Sequence, residues 1–408
     1  MSMDRSFNMI SPHSTSQSAD QYDHAEPRRA LVLTGGGARA AYQVGVLKAI
    51  VDLRGTEGPT PMPILCGVSA GGINAAVLAV LARDFRAGVE SMETIWGNFR
   101  AHQVYRADAG ALLSSALRWS LYPLAARFPR FRPLAVLDNA PLRQLLTRTL
   151  DFSALEEAIA DGHLRAASVS AFGYASGESL TFYQGVGEIE PWRRAKRIGI
   201  PAQLGIDHLM ATSAIPFVFP AVRLDREYFG DGSMRHLSPI SPAIHLGADR
   251  VLVISSWKLQ EDPWERGEAY PSPGQVAGHA LSSIFLDGLT VDLERMERIN
   301  ATLRATGRQT LRSGGVELRP IQALVIAPSE DLAAVAVRYR RELPRLMRAA
   351  LYPLGAMHPE RSELLSYLLF EAGFTRELIR LGYRDAMDRR QALRGFMGWA
   401  NEDLPDDR

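Results

Sequence analysis

The five residues Gly67-Val68-Ser69-Ala70-Gly71 decide how this chain is interpreted. The apolar run Ile64-Leu65-Cys66 leads into them, and small residues at helical spacing follow, so Ser69 is predicted to lie on a sharp strand-to-helix turn. Glycines on both sides suit that turn, because a Cβ at Gly67 or Gly71 would collide with a neighbouring strand or helix. Such a turn presents a serine hydroxyl as a nucleophile, but the pentapeptide alone is a weak signal.

A glycine-rich loop upstream strengthens this interpretation. The apolar run Ala30-Leu31-Val32-Leu33 predicts a buried strand, and Thr34-Gly35-Gly36-Gly37-Ala38-Arg39-Ala40 follows it directly, before a helical pattern that starts at Ala41. Three glycines at a helix start leave backbone N–H groups free to point at an anion. In a serine hydrolase that anion is the oxyanion of the tetrahedral intermediate.

A carboxylate downstream completes the pattern. The stretch Tyr228-Phe229-Gly230-Asp231-Gly232-Ser233 places Asp231 between two glycines at the end of an apolar segment. An acid at such a place needs a partner, because burying an unpaired carboxylate is costly. Ser69 is one candidate partner, and the alternative is a turn aspartate that only caps the backbone of Gly232 and Ser233.

Together these segments resemble the patatin-like phospholipase family in content and in order. The resemblance spans residues 28–256 and includes the segment 211–220 and the residues around Phe285-Leu286-Asp287. It implies an α/β fold, a three-layer sandwich with a mostly parallel sheet, and a lipid acyl hydrolase that uses a Ser69–Asp231 dyad and no cofactor or metal. The oxyanion site would be formed by Gly35, Gly36, Gly37, Ala38 and Arg39, the elbow by Gly67 and Gly71, and the Asp-Gly motif by Gly232 and Ser233. Two positions depart from the family's pattern. Ala40 stands where the family usually has glycine, and Ser233 stands where it more often has glycine or alanine.

Three alternatives stay open at this point. An α/β-hydrolase triad would need a histidine downstream of Ser69, and the chain offers His236, His245, His279 and His358. A dinucleotide-binding turn at residues 35–40 fits less well, since the last glycine of its pattern is replaced by Ala40. A catalytically weak lipid-surface or protein-interaction module is the third alternative, with the C-terminal helices as its working part.

The composition of the chain limits the kinds of molecule that it is expected to bind. A net charge of +1 argues against nucleic acid. The substrate expected from the resemblance is a phospholipid or another lipid ester, met in the cytoplasm or peripherally at a membrane, because no apolar run is long enough to span a bilayer. The single cysteine, Cys66, excludes an internal disulfide and is expected to be a core residue beneath the elbow. The sequence leaves the oligomeric state open.

The chain is predicted to have three parts. We expect a disordered tail over residues 1–27, a catalytic domain over 28–328 and a C-terminal helical extension over 329–408. Strands are predicted at 31–33, 64–68, 166–171, 222–224, 251–255 and 321–326, and helices at 41–53, 71–81, 88–96, 141–149, 242–246 and about 274–303.

Two features allow more than one role. Arg39 either steadies the glycine loop, attracts a phosphate headgroup, or faces solvent at the start of a helix. Aromatic and arginine residues interleave between Trp119 and Arg132, which is typical of an interfacial membrane contact or of an irregular insertion packed on the core.

Overall fold

The computed structural model describes residues 27–106, 108, 110, 135–235, 238–259, 273–307, 310–313, 316–352 and 363–399. The tail 1–26, the aromatic and arginine segment 119–132, and His236 and His358 lie outside the described residues. The predictions made for them therefore stay predictions.

The described strands and helices alternate along the first two thirds of the chain, and helices dominate the last third. The strands are β1 Arg29–Leu33, β2 Ile64–Val68, β3 Ala166–Gly173, β4 Ser179–Gly185, β5 Trp192–Arg194, β6 Arg197–Pro201, β7 Val222–Leu224, β8 Glu227–Asp231, β9 Arg250–Ile254, β10 Leu311–Ser313, β11 Val316–Leu318 and β12 Gln322–Ile326. The α-helices are α1 Ala41–Arg54, α2 Ala70–Val80, α3 Phe85–Gly97, α4 Ala140–Thr149, α5 Ser153–Ala160, α6 Ile206–Thr212, α7 Ser241–His245, α8 Pro273–Ala305, α9 Leu332–Arg338, α10 Arg345–Leu351, α11 Glu363–Leu368, α12 Ala372–Asp388 and α13 Arg390–Met397. Short 3₁₀ helices lie at Gly37–Ala40, Ala101–Gln103 and Gly232–Arg235.

The central sheet has the order β12-β9-β1-β2-β3-β4-β6-β5. Its first five strands are parallel to one another, and β4 turns the direction by pairing antiparallel with β3. Strand β8 also pairs antiparallel with the end of β3, and β7 pairs with β8. The mostly parallel sheet confirms the α/β prediction.

The sheet buries both of its faces. Leu31 and Leu33 of β1 belong to one core, whereas Ala30 and Val32 belong to the core on the other side. Cys66 lies in this second core with 3% of its surface exposed, as expected for a core cysteine, and burial raises the pKa of its thiol to about 12. Helices cover both cores, which makes three layers.

The C-terminal helices are part of the first core. Helix α12 packs along α1 so closely that a Cβ on Gly45 would collide with the carbonyl oxygen of Ile379, and one on Gly382 with that of Tyr42. At this contact the hydroxyl of Tyr42 donates to Asp385 Oδ2 at 3.0 Å. The predicted boundary near residue 328 stays a prediction, but the helices beyond it complete the layer that covers α1.

The six predicted strands correspond to observed ones within about two residues, while β4, β5, β6, β8, β10 and β11 were not predicted. Strand β4 illustrates the reason. Its buried residues include Ser179 and Thr181, and the Thr181 hydroxyl is hydrogen-bonded to that of Ser170 at 3.0 Å. Polar residues that are satisfied by a neighbouring strand interrupt the apolar run that marks a buried strand.

None of the helices in the described residues is long and apolar enough to cross a membrane.

Candidate active site

Ser69 occupies a strained turn between β2 and α2. Its backbone has φ 55° and ψ −133°, a region that residues with a side chain rarely adopt. A Cβ on Gly67 would collide with the backbone of Gly71, and one on Gly71 would collide with the carbonyl oxygens of Leu33 and Thr34 at the end of β1. The glycines thus let the turn pack directly against two backbones. The Ser69 hydroxyl makes no capping bond to α2, so an ordinary N-cap role does not explain it.

A threonine on α6 holds the backbone of the turn. The Ser69 N–H donates to Thr212 Oγ1 at 2.9 Å, and the Thr212 hydroxyl donates to the carbonyl oxygen of Ser170 at 2.5 Å. Ser170 lies on β3, which pairs with β2 beside Val68. Thr212 therefore ties the turn to the neighbouring strand.

Asp231 meets Ser69 because β3 is paired with both β2 and β8. Ala171 follows Ser170 on β3 and lies opposite Asp231, the last residue of β8. The Ser69 hydroxyl donates to Asp231 Oδ2 at 2.6 Å, and the Ser233 N–H donates to Oδ1 at 2.9 Å. The carboxylate thus contacts the serine and also caps its own turn, so a purely turn-capping aspartate is excluded by the contact with Ser69.

This pair is almost fully buried. Ser69 and Asp231 each expose 1% of their surface. Burial raises the pKa of Asp231 to about 6, although the hydrogen bonds from Ser69 and Ser233 oppose the shift. Gly232 is needed next to the carboxylate, because a Cβ there would collide with the backbone of Ser170.

The glycine loop lies beside the serine. Residues 35–39 leave β1 and enter the 3₁₀ helix Gly37–Ala40, with Gly37 at φ +56°. Among the described residues, the N–H groups of Gly36, Gly37 and Ala38 have no hydrogen-bond acceptor. Gly37 and Ser69 line the same pocket. Free donors at a helix start next to a hydroxyl can stabilise an oxyanion that forms there.

Buried amides support the loop from below. The Gln43 side chain donates to the carbonyl oxygen of Thr34 at 2.8 Å and to Ser256 Oγ at 3.1 Å. Asn74 donates to Gln43 Oε1 at 2.9 Å and accepts from Trp96 Nε1 at 2.9 Å. This chain of bonds links the loop to α1, α2 and α3 and satisfies polar groups that would be costly alone.

Arg39 joins the loop to the C-terminal helices. Its side chain is 2% exposed, so the solvent-facing alternative is wrong. Its Nε donates to Ser366 Oγ at 2.7 Å, and its guanidinium carbon lies 4.0 Å from the ring centre of Trp257 and 4.9 Å from that of Tyr367. These cation–π contacts and the hydrogen bond favour the loop-steadying role.

An apolar pocket opens at Ser69. Helices α2, α3 and α4 form much of its wall, and almost all of its lining is apolar. The apolar side chains that line it include Ile73, Val77, Met92, Ile95, Trp96, Phe99, Leu142, Leu146, Ile215, Phe219 and Phe370. Such a lining suits a hydrocarbon chain.

The histidine alternatives receive no support from the described side chains. His245 lies on the other face of the sheet and stacks on Trp192 with ring centres 4.8 Å apart. The side chains of His236, His279 and His358 lie outside those that the structure describes. In the described part of the chain, no group of three His, Cys, Asp or Glu side chains could hold a metal ion.

Sequence reasoning missed four contributors to the site: Thr212, Gln43, Asn74 and Ser366. Gln43 and Asn74 did carry a signal, because a single amide in an otherwise apolar helix stretch is unusual for a buried face. Thr212 stood within a motif segment but had no assigned role. Ser366 carried no signal, since its partner Arg39 is 327 residues away.

Comparison with known proteins gives weak structural matches and a clear family match. VipD from Legionella pneumophila is 13% identical with a TM-score of 0.35, over 90% of this chain and 67% of VipD. Human GIVD cytosolic phospholipase A2 in complex with methyl gamma-linolenyl fluorophosphonate is 13% identical with a TM-score of 0.39, over 91% of this chain and 59% of the human one. The chain thus spans about three fifths of the human enzyme's length. No curated protein sequence matches significantly.

The family model described as patatin-like phospholipase matches residues 31–244, which is more than half of the chain and holds the glycine loop, the elbow and Asp231. This chain belongs to the patatin-like phospholipase family.

Proposed function

We propose that the protein is a lipid acyl hydrolase that cleaves carboxylic esters through an acyl-enzyme, with Ser69 as nucleophile and Asp231 as base. One observation carries the proposal: the 2.6 Å hydrogen bond from the Ser69 hydroxyl to the buried Asp231 carboxylate, at the end of an apolar pocket. Membership of the family supports lipid esters as the substrate class.

The reaction follows from these contacts. Ser69 Oγ attacks the ester carbonyl carbon while its proton passes to Asp231 Oδ2, and the carbonyl oxygen becomes an oxyanion that accepts from the N–H groups of Gly36, Gly37 and Ala38. Collapse breaks the bond to the alcohol, which takes the proton from Asp231. Water then attacks the acyl-serine and gives one proton to Asp231. Collapse of this second intermediate breaks the bond to Ser69 Oγ, which takes that proton back from Asp231, and the fatty acid leaves.

The buried position of Asp231 suits a direct base. An exposed aspartate has a pKa of about 3.9 and is a weak base at neutral pH. Burial raises the pKa of Asp231 to about 6, which makes it a stronger base that is still mostly ionised at pH 7.

The pocket beyond Ser69 supports a long acyl chain as the part of the substrate that is recognised. Each methylene buried there contributes about 0.8 kcal/mol to binding. We therefore expect kcat/KM to rise with chain length until the pocket is filled, for acyl esters of one soluble alcohol. We further infer that the enzyme works at the surface of lipid aggregates, where such chains are presented.

A fluorophosphonate probe with an alkyl chain tests the proposal, applied to wild type and Ser69→Ala beside a panel of phospholipids, lysophospholipids and neutral lipids. We expect labelling of wild type at Ser69 and release of fatty acid, with neither in the variant. A folded wild type that resists the probe and hydrolyses no lipid would instead support a passive lipid-surface or interaction module. Activity that disappears in His236→Ala but persists in Asp231→Asn would favour the α/β-hydrolase triad instead.

A further inference from the structure

A second cavity lies on the face of the sheet opposite Ser69. It is formed by α7, α8, the β5–β6 hairpin and residues 318–321, and its volume is about 360 Å³. Apolar side chains from the second core, among them Ile240 and Met296, form part of its wall. It shares no lining residue with the pocket at Ser69.

Four arginines line this cavity: Arg194, Arg197, Arg295 and Arg319. Only Arg319 has an ion pair in the described part of the chain, with Asp249 at 3.2 Å, and it also donates to the carbonyl oxygen of Ala248 at 2.8 Å. The other three guanidinium groups form no ion pair with a described carboxylate.

One carboxylate, that of Asp292, also lines the cavity and lies near Arg197 and Arg295. Asp292 is 9% exposed and already accepts from the Ser238 hydroxyl at 2.5 Å and from the Ile240 N–H at 3.0 Å. Even if its charge is counted in full, two guanidinium charges remain unbalanced in the described cavity wall. His245 does not add to them at pH 7, because burial and the nearby arginines lower its pKa to about 4.

Arg197 shows most directly that an acceptor is missing. Its Nη1 is buried and has no hydrogen-bond partner in the described residues. Burial and the like charges of Arg295 and Arg194 lower its pKa, although Asp292 opposes this. A buried donor without an acceptor is costly for the folded protein unless an anion or ordered water meets it.

We propose that this cavity binds an organic phosphate, with the phosphomonoester group between Arg194, Arg197 and Arg295 and the organic part against the apolar wall. A phosphomonoester carries a charge of about −1.5 to −2 at pH 7 and offers three acceptor oxygens, which matches two unbalanced charges and the unpartnered Nη1 of Arg197. A carboxylate would neutralise one charge only. The site is separate from the dyad, so the proposal does not depend on the proposed function.

Isothermal titration calorimetry on the full chain tests this with three probes: octyl phosphate, glycerol 3-phosphate and octanoate. Octyl phosphate has no carboxylic ester, so the site at Ser69 cannot hydrolyse it. The variants are Arg197→Gln and Arg295→Gln, and the matched control is Arg298→Gln, an exposed residue on α8 that does not line the cavity.

We expect octyl phosphate to bind wild type and Arg298→Gln alike, and to bind each of the other variants about 10- to 100-fold more weakly, as for a lost charge-assisted hydrogen bond. If glycerol 3-phosphate binds more weakly than octyl phosphate, the ligands of the site are phosphate amphiphiles. If the two bind equally, the ligands are soluble phosphate esters. Octanoate that binds as tightly as octyl phosphate and is weakened equally by the two arginine variants would overturn the proposal, as would octyl phosphate binding that is unchanged in both variants. A cooperative thermal unfolding transition shows whether each variant is folded. If Arg197→Gln does not fold, Arg295→Gln still tests the proposal, because Arg295 is exposed and its replacement should not disturb the core.

Discussion

The elbow at Ser69 and the glycine loop at Gly35–Arg39 lie side by side, but different parts of the chain hold them. The elbow is held by the sheet and one adjacent helix, through the close packing of Gly71 on Leu33 and the bonds of Thr212 to Ser69 and Ser170. The loop is held partly by the nearby amides of Gln43 and Asn74 and partly by residues that come much later. The later residues are Ser256, Ser366 and Tyr367.

The difference separates two requirements of the proposed chemistry. The nucleophile needs a turn shape that strand pairing and local glycines can provide. The donors need an orientation, and some of the contacts that set it come from outside the region that the family model matches, which ends at residue 244. We therefore expect changes at the elbow to abolish the chemistry and changes at the supports of the loop to reduce its rate.

Replacement of Ser69 by alanine should have the largest effect. Loss of a catalytic nucleophile commonly lowers kcat by about 10⁶-fold, whereas removal of one small hydroxyl disturbs packing little. Fatty acid release measures the loss of activity, and circular dichroism of the same preparation shows whether the variant is folded. A folded Ser69→Ala protein with substantial activity would contradict the proposed nucleophile.

Asp231→Asn should lower kcat by about 10⁴-fold, because the amide keeps the shape but cannot accept the proton. His245→Ala is the matched control, since His245 lies on the other face of the sheet and should leave most of the activity. If the histidine variant were inactive and the asparagine variant active, the dyad would be the wrong assignment.

Gly37→Ala tests the loop without touching Ser69 or Asp231. The added Cβ would meet the backbone oxygen of Tyr367 at 2.5 Å and force the loop to move, so we expect turnover to fall by about 10²–10³-fold, as for a lost oxyanion donor. Gly307→Ala is the control, because Gly307 has a similar φ of +63° but open space around it. Equal kinetics for wild type and Gly37→Ala would show that the loop glycines serve only the turn.

The pH dependence should follow the titration of Asp231. A base must be ionised, and the pKa of Asp231 is about 6, so kcat/KM should fall about tenfold per pH unit below that value. The free energy of unfolding should change with pH in the opposite direction to the activity. Since the folded pKa lies above the unfolded value of about 3.9, the stability that this group contributes is present below pH 4 and is lost as the pH rises through 6.

Asp231→Asn should remove this loss of stability at high pH, because the amide does not ionise. The variant should therefore be more stable than wild type by about 2–3 kcal/mol at pH 8 and no more stable below pH 4, as thermal unfolding at the two pH values would show. An unchanged difference between pH 4 and pH 8 would mean that the carboxylate is not held in an unfavourable buried state.

Ser366→Ala should give the smallest effect. It removes the acceptor for Arg39 Nε, so the loop loses one support and kcat should fall about 3- to 10-fold. KM should stay near wild type, because Ser366 does not line the apolar pocket. Ser366→Thr keeps the hydroxyl and should restore the rate, whereas a raised KM with unchanged kcat would point to an effect on the pocket instead.

The sequence by itself determined the parallel sheet, the family and the order of the three motifs, because each depends on neighbours in the chain. An apolar run, a glycine on either side of a serine, and a carboxylate between two glycines are local patterns with local physical causes. They led to Ser69, Asp231 and residues 35–39 as candidates, and the roles proposed for them await the experiments above.

Only the tertiary structure decided what surrounds those residues. The contact of Arg39 with Ser366, the bond from Ser69 to Thr212 and the arginine cavity on the other face all join residues that are far apart in the chain. Strand order and helix packing bring such residues together, and neither is encoded in the periodicity of a single segment. For the same reason the orientation of the glycine loop could not be predicted from its own sequence, since two of its supports, Ser366 and Tyr367, follow it by more than 300 residues.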